Sequence, residues 1–199
     1  MDILCAIDGT GPYSDSTYAR DFADSHVNNL AKGWHSALKF YRRGPSLEGA
    51  ATDNLAEACV TYARTCWKIM GDMADSAPQT FETPRVFLAG YSRGGAAVIE
   101  AAKRLSKLDI PIHGLFLFDA VDRSVAVSNV DEIPDNVVYC FHALRNPKAA
   151  SREIFGNCGR KPAAGVSYNE RFFMGTHGAM GGLPGMDVDD HGKIIEQGK

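Results

Sequence analysis

The sequence predicts an α/β chain, a mainly parallel sheet of about six strands flanked by helices. Short apolar runs bounded by turn residues recur along its length and read as buried strands. Between them lie longer stretches with apolar residues every third or fourth position, which read as crossover helices. At 199 residues and 45% hydrophobic composition the chain is long enough for one domain, 1–199, with a full core.

Taken in order, the first strand is expected at Asp2–Ile7 and the second at Ala37–Tyr41, with Asp15–Lys32 between them read as one helix. An amphipathic helix follows, because Leu55, Cys59, Tyr62, Cys66, Ile69 and Met73 recur at helical spacing. Asn54, with Glu57 three residues on, has the pattern of its cap. Arg85–Ala89 is the third strand, and the alanine-rich Ala96–Leu105 is a helix able to pack closely on a sheet. Further strands are expected at Gly114–Phe118, Val137–Leu144 and Arg171–Met174. Asn146–Val166 reads as loop, and 178–199 as an irregular tail, because both are rich in Gly, Pro and Asn.

Composition narrows the function classes. A formal net charge of −3 and the lack of any Lys/Arg run of five or more argue against nucleic acid as a partner. No stretch approaches the roughly 18 apolar residues of a membrane helix. The Met1-Asp-Ile-Leu-Cys5 start lacks the basic region of a signal peptide. The expected location is the cytoplasm, or outside the cell without a cleaved signal. Cys5, Cys59, Cys66, Cys140 and Cys158 are odd in number, with no Cys-x-x-Cys pair, and read as reduced thiols. Nothing in the sequence sets an oligomeric state.

The chemistry concentrates at Gly90-Tyr91-Ser92-Arg93-Gly94, a G-x-S-x-G segment between the third strand and the alanine-rich helix. A sharp strand-to-helix turn there would lift the Ser92 hydroxyl above the carboxyl edge of the sheet. Small residues two places either side would let strand and helix approach. The backbone N–H of Arg93, at a helix start, would face a developing oxyanion. Without catalysis, the same segment is a glycine-rich turn with an incidental serine.

A serine hydroxyl is a weak nucleophile until a histidine, oriented by a carboxylate, accepts its proton. In α/β-hydrolases the chain order is Ser, acid, His. Asp119 directly follows the apolar Leu115–Phe118 and is the expected acid; Asp122, three residues on, is the alternative. His177, in the loop after the last strand, is the expected base, with His191 the rival. His142 lies within an apolar strand and reads as a satisfied core residue, His113 precedes a strand, and His26 and His35 come before the serine. The second oxyanion donor is expected from the loop after the first strand, at the N–H of Thr10 or Gly9.

These residues, taken together, resemble a bacterial α/β-hydrolase family, domain of unknown function 2235, which includes the Tle-type phospholipase effectors of type VI secretion. The likeness runs almost end to end. Asp8-Gly9-Thr10 is similar to the family's opening Asp-Gly-Thr, and Tyr41-Arg-Arg-Gly44 to its Tyr-x-x-Gly. Gly90-Tyr-Ser-Arg-Gly94 resembles its Gly-Phe-Ser-Arg-Gly, and Phe118-Asp119-Ala-Val121 its Phe-Asp-Thr-Val. His142-Ala-Leu144, with Arg152, Glu153 and Phe155 behind it, resembles its His-Ala-Leu strand, and Phe173-Met-Gly-Thr-His177 with Gly181-Gly182 its Phe-x-Gly-x-His-x-x-x-Gly-Gly. The resemblance implies Ser92, Asp119 and His177 as a triad, favours Asp119 over Asp122, and implies ester hydrolysis with phospholipids as the best-known substrates. Two departures from the family's pattern leave a small soluble ester open as the alternative substrate: the chain ends soon after the histidine loop, and no acidic residue directly follows His142-Ala-Leu144.

Asp187, Asp189 and His191, with Gly192 in the sixth place, are spaced like the start of a calcium-binding loop, but the twelfth place is Gly198 rather than glutamate. The expectation is therefore a solvated acidic tail, with calcium as the alternative, and no cofactor otherwise. The function expected is hydrolysis of a lipid or small-molecule carboxylic ester through an acyl-enzyme. A thioesterase or peptidase using the same residues, or a non-catalytic binding module, are the alternatives.

Overall fold

A computed structural model describes residues 1–46, 51–122, 127, 129–149, 151, 155–183, 187–188 and 194–195. In chain order the elements are β1 (Asp2–Ile7), α1 (Asp15–Asp21), α2 (His26–Gly33), β2 (Lys39–Arg42), α3 (Ala51–Ser76), β3 (Arg85–Tyr91), α4 (Arg93–Ser106) and β4 (Ile112–Phe118). Then come β5 (Glu132–Ile133), β6 (Tyr139–Arg145), a 3-10 turn (Pro147–Ala149), β7 (Lys161–Pro162), β8 (Ser167–Phe173), α5 (His177–Met180), β9 (Asp187–Val188) and β10 (Ile194–Ile195). Among the described residues six strands form one parallel sheet in the order β2-β1-β3-β4-β6-β8. Flanked by helices, this is a minimal α/β-hydrolase fold, as the sequence predicts. No described helix is long and apolar enough to cross a membrane.

The layering follows from the apolar runs. All six residues of β1 are buried, because a central parallel strand is covered on both faces and has no solvent side for polar residues. One face carries Ile3, Cys5, Ile7, Leu88, Leu115 and Leu117 against α3 and α4. On the other, Leu4, Ala6, Ala89 and Tyr91 meet Tyr18, Phe22, Val27 and Ala31 of the α1–α2 region. In α4 the alanines at 96, 97, 101 and 102 are all buried, so the helix lies close over the sheet.

The strand order decides where a ligand can sit. From β1 the chain steps outward to β2, then returns past β1 to β3, so consecutive connections leave the sheet in opposite directions. Between the carboxyl ends of β1 and β3 this reversal opens a crevice, the usual ligand position in open α/β sheets. The loop after β1 and the Ser92 turn after β3 are its two walls.

Several boundaries differ from the sequence reading. Asp15–Lys32 is two helices, each started by a serine: Ser14 Oγ accepts the Thr17 N–H at 3.4 Å and Ser25 Oγ the Asn28 N–H at 3.0 Å. Asn54 lies inside α3 rather than at its cap, and Glu57 instead meets Arg104 of α4 at 3.0 Å. The face that α3 buries is built from Ala56, Cys59, Val60, Ala63, Met70 and Ala74, while Ile69 and Met73 are exposed. Of the predicted stripe, Cys59 is buried and Leu55, Tyr62 and Cys66 pack against the core as partly buried residues. The stretch read as loop contains β7, which pairs with the unforeseen β5, and the expected irregular tail begins with α5 and includes the β9–β10 pair. Asp187 lies in β9, whereas Asp189 and His191, the other members of the calcium candidate, lie outside the described residues.

Candidate active site

The turn after β3 has the strain that the sequence predicts. Ser92 has φ 55° and ψ −126°, a region that only glycine enters without cost. The surroundings over-determine it: its N–H donates to the Phe118 carbonyl at 3.1 Å, and its own carbonyl accepts the Val121 N–H at 3.1 Å. The glycines are required by contact. A Cβ at Gly90 would lie 2.5 Å from the Gly94 carbonyl oxygen, and one at Gly94 would overlap the backbone oxygens of Ile7 and Asp8.

Asp119 leaves the end of β4, also with positive φ, and His177 opens α5 beyond β8. The three side chains meet. His177 Nε2 is 2.9 Å from Ser92 Oγ, and Nδ1 is 2.7 Å from Asp119 Oδ2. A carboxylate accepts, so Nδ1 carries the hydrogen and Nε2 is left to accept the serine proton. Asp119 is fully buried, and Ser92 and His177 each expose 5%, so these bonds act in a low-dielectric setting.

The imidazole is held from several sides. Its backbone N–H donates to Ser151 Oγ at 2.9 Å, its carbonyl accepts from the Tyr91 hydroxyl at 2.9 Å, and the Phe155 ring stands edge-on at 5.5 Å. Asp119 accepts further bonds from the Asn157 side chain at 2.7 Å, from the Arg145 N–H at 3.3 Å and from the Arg145 guanidinium. Burial alone would raise the Asp119 carboxyl, but hydrogen bonding and charge from His177 and Arg145 outweigh it and hold the group below the usual carboxylate range.

Of the two candidate acids, the carboxylate on the ring is that of Asp119. Asp122, the alternative, makes no hydrogen bond to His177. His191 lies outside the described residues. His142 is fully buried in β6 as expected, and its Nε2 accepts the Ala120 N–H at 3.1 Å. Burial lowers it to about 4, so it stays neutral. Among the described residues the cysteines are free, and burial pushes the Cys140 thiol up to about 12.

The loop after β1 lies against the serine, since the Cβ position of Gly9 falls 3.3 Å from Ser92 Cβ. The Gly9 N–H donates to Asp8 Oδ1 at 3.0 Å and is occupied by that bond. The N–H of Thr10 has no hydrogen bond among the described residues, nor has its buried hydroxyl. On the other wall Arg93 opens α4, which points the first backbone N–H groups of that helix toward the serine.

Sequence reasoning missed the supports of this site. Asp8 is fully buried and accepts from Gly9, from the Ser25 hydroxyl and from Tyr41 at 3.0 Å. Burial raises it to about 6 despite those bonds. Arg145, Ser151 and Asn157 were also unread. Only Arg145 left a trace, as a charge closing an apolar strand at the active edge of the sheet. An apolar groove of ≈ 490 Å³ lined by Leu30, Trp34, Phe87 and Phe116 excludes the three central residues, touching their neighbourhood through Phe118.

No protein-family model matches the sequence, and no curated protein matches it. Solved structures do. An uncharacterized protein from Pseudomonas aeruginosa is similar over 90% of this chain and 41% of its own, at 13% identity and TM-score 0.54. The Tle1 effector bound to the VgrG spike of the Type 6 secretion system is similar over 93% and 51%, at 13% identity and TM-score 0.49. The RedJ thioesterase of prodiginine biosynthesis in Streptomyces coelicolor is similar over 92% and 85%, at 14% identity and TM-score 0.42. The chain thus spans about half the length of the first two or less. At such identities the likeness to the Pseudomonas protein concerns the fold alone.

Proposed function

We propose that the chain is a serine hydrolase that cleaves carboxylic esters through an acyl-enzyme, with Ser92 as nucleophile, His177 as base and Asp119 as orienting acid. The observation that carries this reading is the unbroken chain from Ser92 Oγ to His177 Nε2 (2.9 Å) and from Nδ1 to Asp119 (2.7 Å), set at the switch point of the sheet. His177 takes the Ser92 proton as Oγ bonds to the ester carbonyl carbon. The oxyanion is held by the N–H groups of Arg93 and Thr10. Imidazolium then protonates the departing alcohol, and water, deprotonated by the same ring, releases the acid and restores Ser92.

The resemblance to the domain of unknown function 2235 family supports lipid esters as the first substrates to try, with small soluble esters beside them. We read residues 1–199 as one catalytic domain. The test is labelling by a fluorophosphonate probe, which reacts only with an activated serine. Wild-type protein is expected to label and to turn over short p-nitrophenyl esters, and Ser92→Ala to do neither while its melt stays nearly unchanged. An unlabelled wild type would leave a non-catalytic module on a hydrolase fold. Labelling with turnover confined to thioesters or peptides would move the substrate class.

A further inference from the structure

Resting on the serine-hydrolase reading, we infer that Tyr18 is a positioning residue that aims the Thr10 N–H at the oxyanion, by holding the other end of the same peptide group. The Gly9 carbonyl and the Thr10 N–H belong to one peptide unit, which is trans and planar, so the two point in opposite directions. Fixing one fixes the other. The Tyr18 hydroxyl donates to the Gly9 carbonyl at 2.6 Å and accepts the Gly44 N–H at 2.8 Å. Gly44 follows β2, and the carbonyl comes so near it that a Cβ there would lie 2.0 Å from the Gly9 oxygen. In the sheet order β2-β1-β3, β1 lies between the other two strands. A carbonyl turned to the β2 side therefore sends the Thr10 N–H to the β3 side, where Ser92 stands with its Cβ 3.3 Å from the Gly9 Cβ position.

The hold is rigid because the tyrosine is itself held. Tyr18 is buried, its ring stacks on Phe22 with centroids 4.0 Å apart, and the Arg43 guanidinium lies over it at 4.3 Å. Gly11, on the far side of Thr10, lies against the same ring, where a Cβ would come within 2.5 Å of it. The loop is also fixed upstream: the Asp8 N–H donates to the Arg42 carbonyl at 3.0 Å, and the Gly9 N–H to Asp8 Oδ1 at 3.0 Å. The Thr10 N–H is thus the first amide after β1 that is both oriented and without a hydrogen bond among the described residues. Burial keeps the phenol protonated, so its O–H can donate to the Gly9 carbonyl throughout the working range. Such a donor helps only if it is aimed in advance, since one that must turn during the reaction loses in reorganisation what it gains by bonding.

The experiment compares wild type with Tyr18→Phe, which keeps the ring and loses only the hydroxyl. Protein carrying isotope-labelled threonine is reacted with a fluorophosphonate, whose phosphoryl oxygen takes the oxyanion's place, and amide NMR spectra are recorded before and after. In wild type the Thr10 N–H resonance is expected to move downfield as it donates to that oxygen, and in Tyr18→Phe to move clearly less. Ester turnover supplies the second readout. Removing one oxyanion donor costs about 10²- to 10³-fold in kcat, so misaiming it is expected to cost roughly ten- to a hundredfold, with KM changed by less than about threefold. Labelling of Tyr18→Phe should be slower yet still reach completion, whereas a purely structural loss would leave part of the protein unlabelled or raise KM instead. A wild-type Thr10 resonance that stays in place on labelling overturns the inference, as does a Tyr18→Phe protein with the kcat of wild type. A Tyr18→Phe protein that does not fold also overturns it, because the hydroxyl would then serve the fold rather than the aim of the amide. An unlabelled wild type would refute the serine reading itself, a distinct result.

Discussion

Replacing Asp119 by asparagine changes one atom and disturbs every bond at the centre of the site. The carboxylate accepts from His177, from Asn157 and twice from Arg145. An amide has a single acceptor oxygen, so one orientation sets its NH2 group against His177 Nδ1–H and Arg145, and the other against Asn157 and the Arg145 N–H. With the NH2 toward the ring, the imidazole must flip its tautomer and donate from Nε2 to Ser92, where it can no longer accept the proton. The loss in kcat is expected to be about 10³- to 10⁴-fold, the scale for a triad whose tautomer is wrong. Stability should fall too, because Arg145 becomes a buried cation without its counter-charge. Breaking such a pair costs about 3–5 kcal/mol, which lowers the melting point by roughly 10 °C in a chain of this size. Ester turnover and a calorimetric melt measure both, with Asp122→Asn as the comparison, expected to change neither much. An Asp119→Asn protein that melts within a degree or two of wild type and keeps a tenth of its activity would refute the reasoning.

Asp8 provides a pH test of stability. Burial lifts its carboxyl to about 6 from 3.8, so the stability it contributes is complete below about pH 4 and is lost as pH rises through 6, a change of about 3 kcal/mol. Urea unfolding of wild type and Asp8→Asn is expected to show the variant gaining on wild type by up to that amount between pH 4 and pH 7.5; a difference that is flat with pH would show that the carboxyl is not desolvated. Gly94→Ala would drive a methyl into the backbone oxygens of Ile7 and Asp8, which cannot swing aside. A loss of about 3 kcal/mol or more and failure to label with fluorophosphonate are expected, and a folded, labelling variant would mean that α4 can lift from β1.

Parts of the fold and site were legible in the primary structure because they depend on local pattern. Unbroken apolar runs such as Asp2–Ile7 and Leu115–Phe118 mark strands covered on both faces, and alanine density marks α4, since periodicity and side-chain volume act within one element. Gly90-Tyr91-Ser92-Arg93-Gly94 announces a strained turn because its glycines answer contacts within a few residues and with the adjoining strand. Asp119 and His177 could be named from strand ends and chain order, although their meeting with Ser92 is a property of the sheet.

What needed the tertiary structure is what spans distant segments. Ser151 and Asn157 carry no local signature, and Arg145 only its place at a strand end; their parts are set by packing beside Asp119 and His177, 26 to 38 residues from the partner that each one bonds. That the Gly9 amide is occupied by Asp8 likewise follows from Asp8 being buried against Ser25 and Tyr41, 17 and 33 positions away. By itself the sequence determined which elements form and which groups could react, because backbone preference and hydrophobic period are local. Which of those groups are held, charged or already occupied was decided only when the sheet brought remote strand ends together, because hydrogen bonds and desolvation act over a few ångströms of space, whatever the separation along the chain.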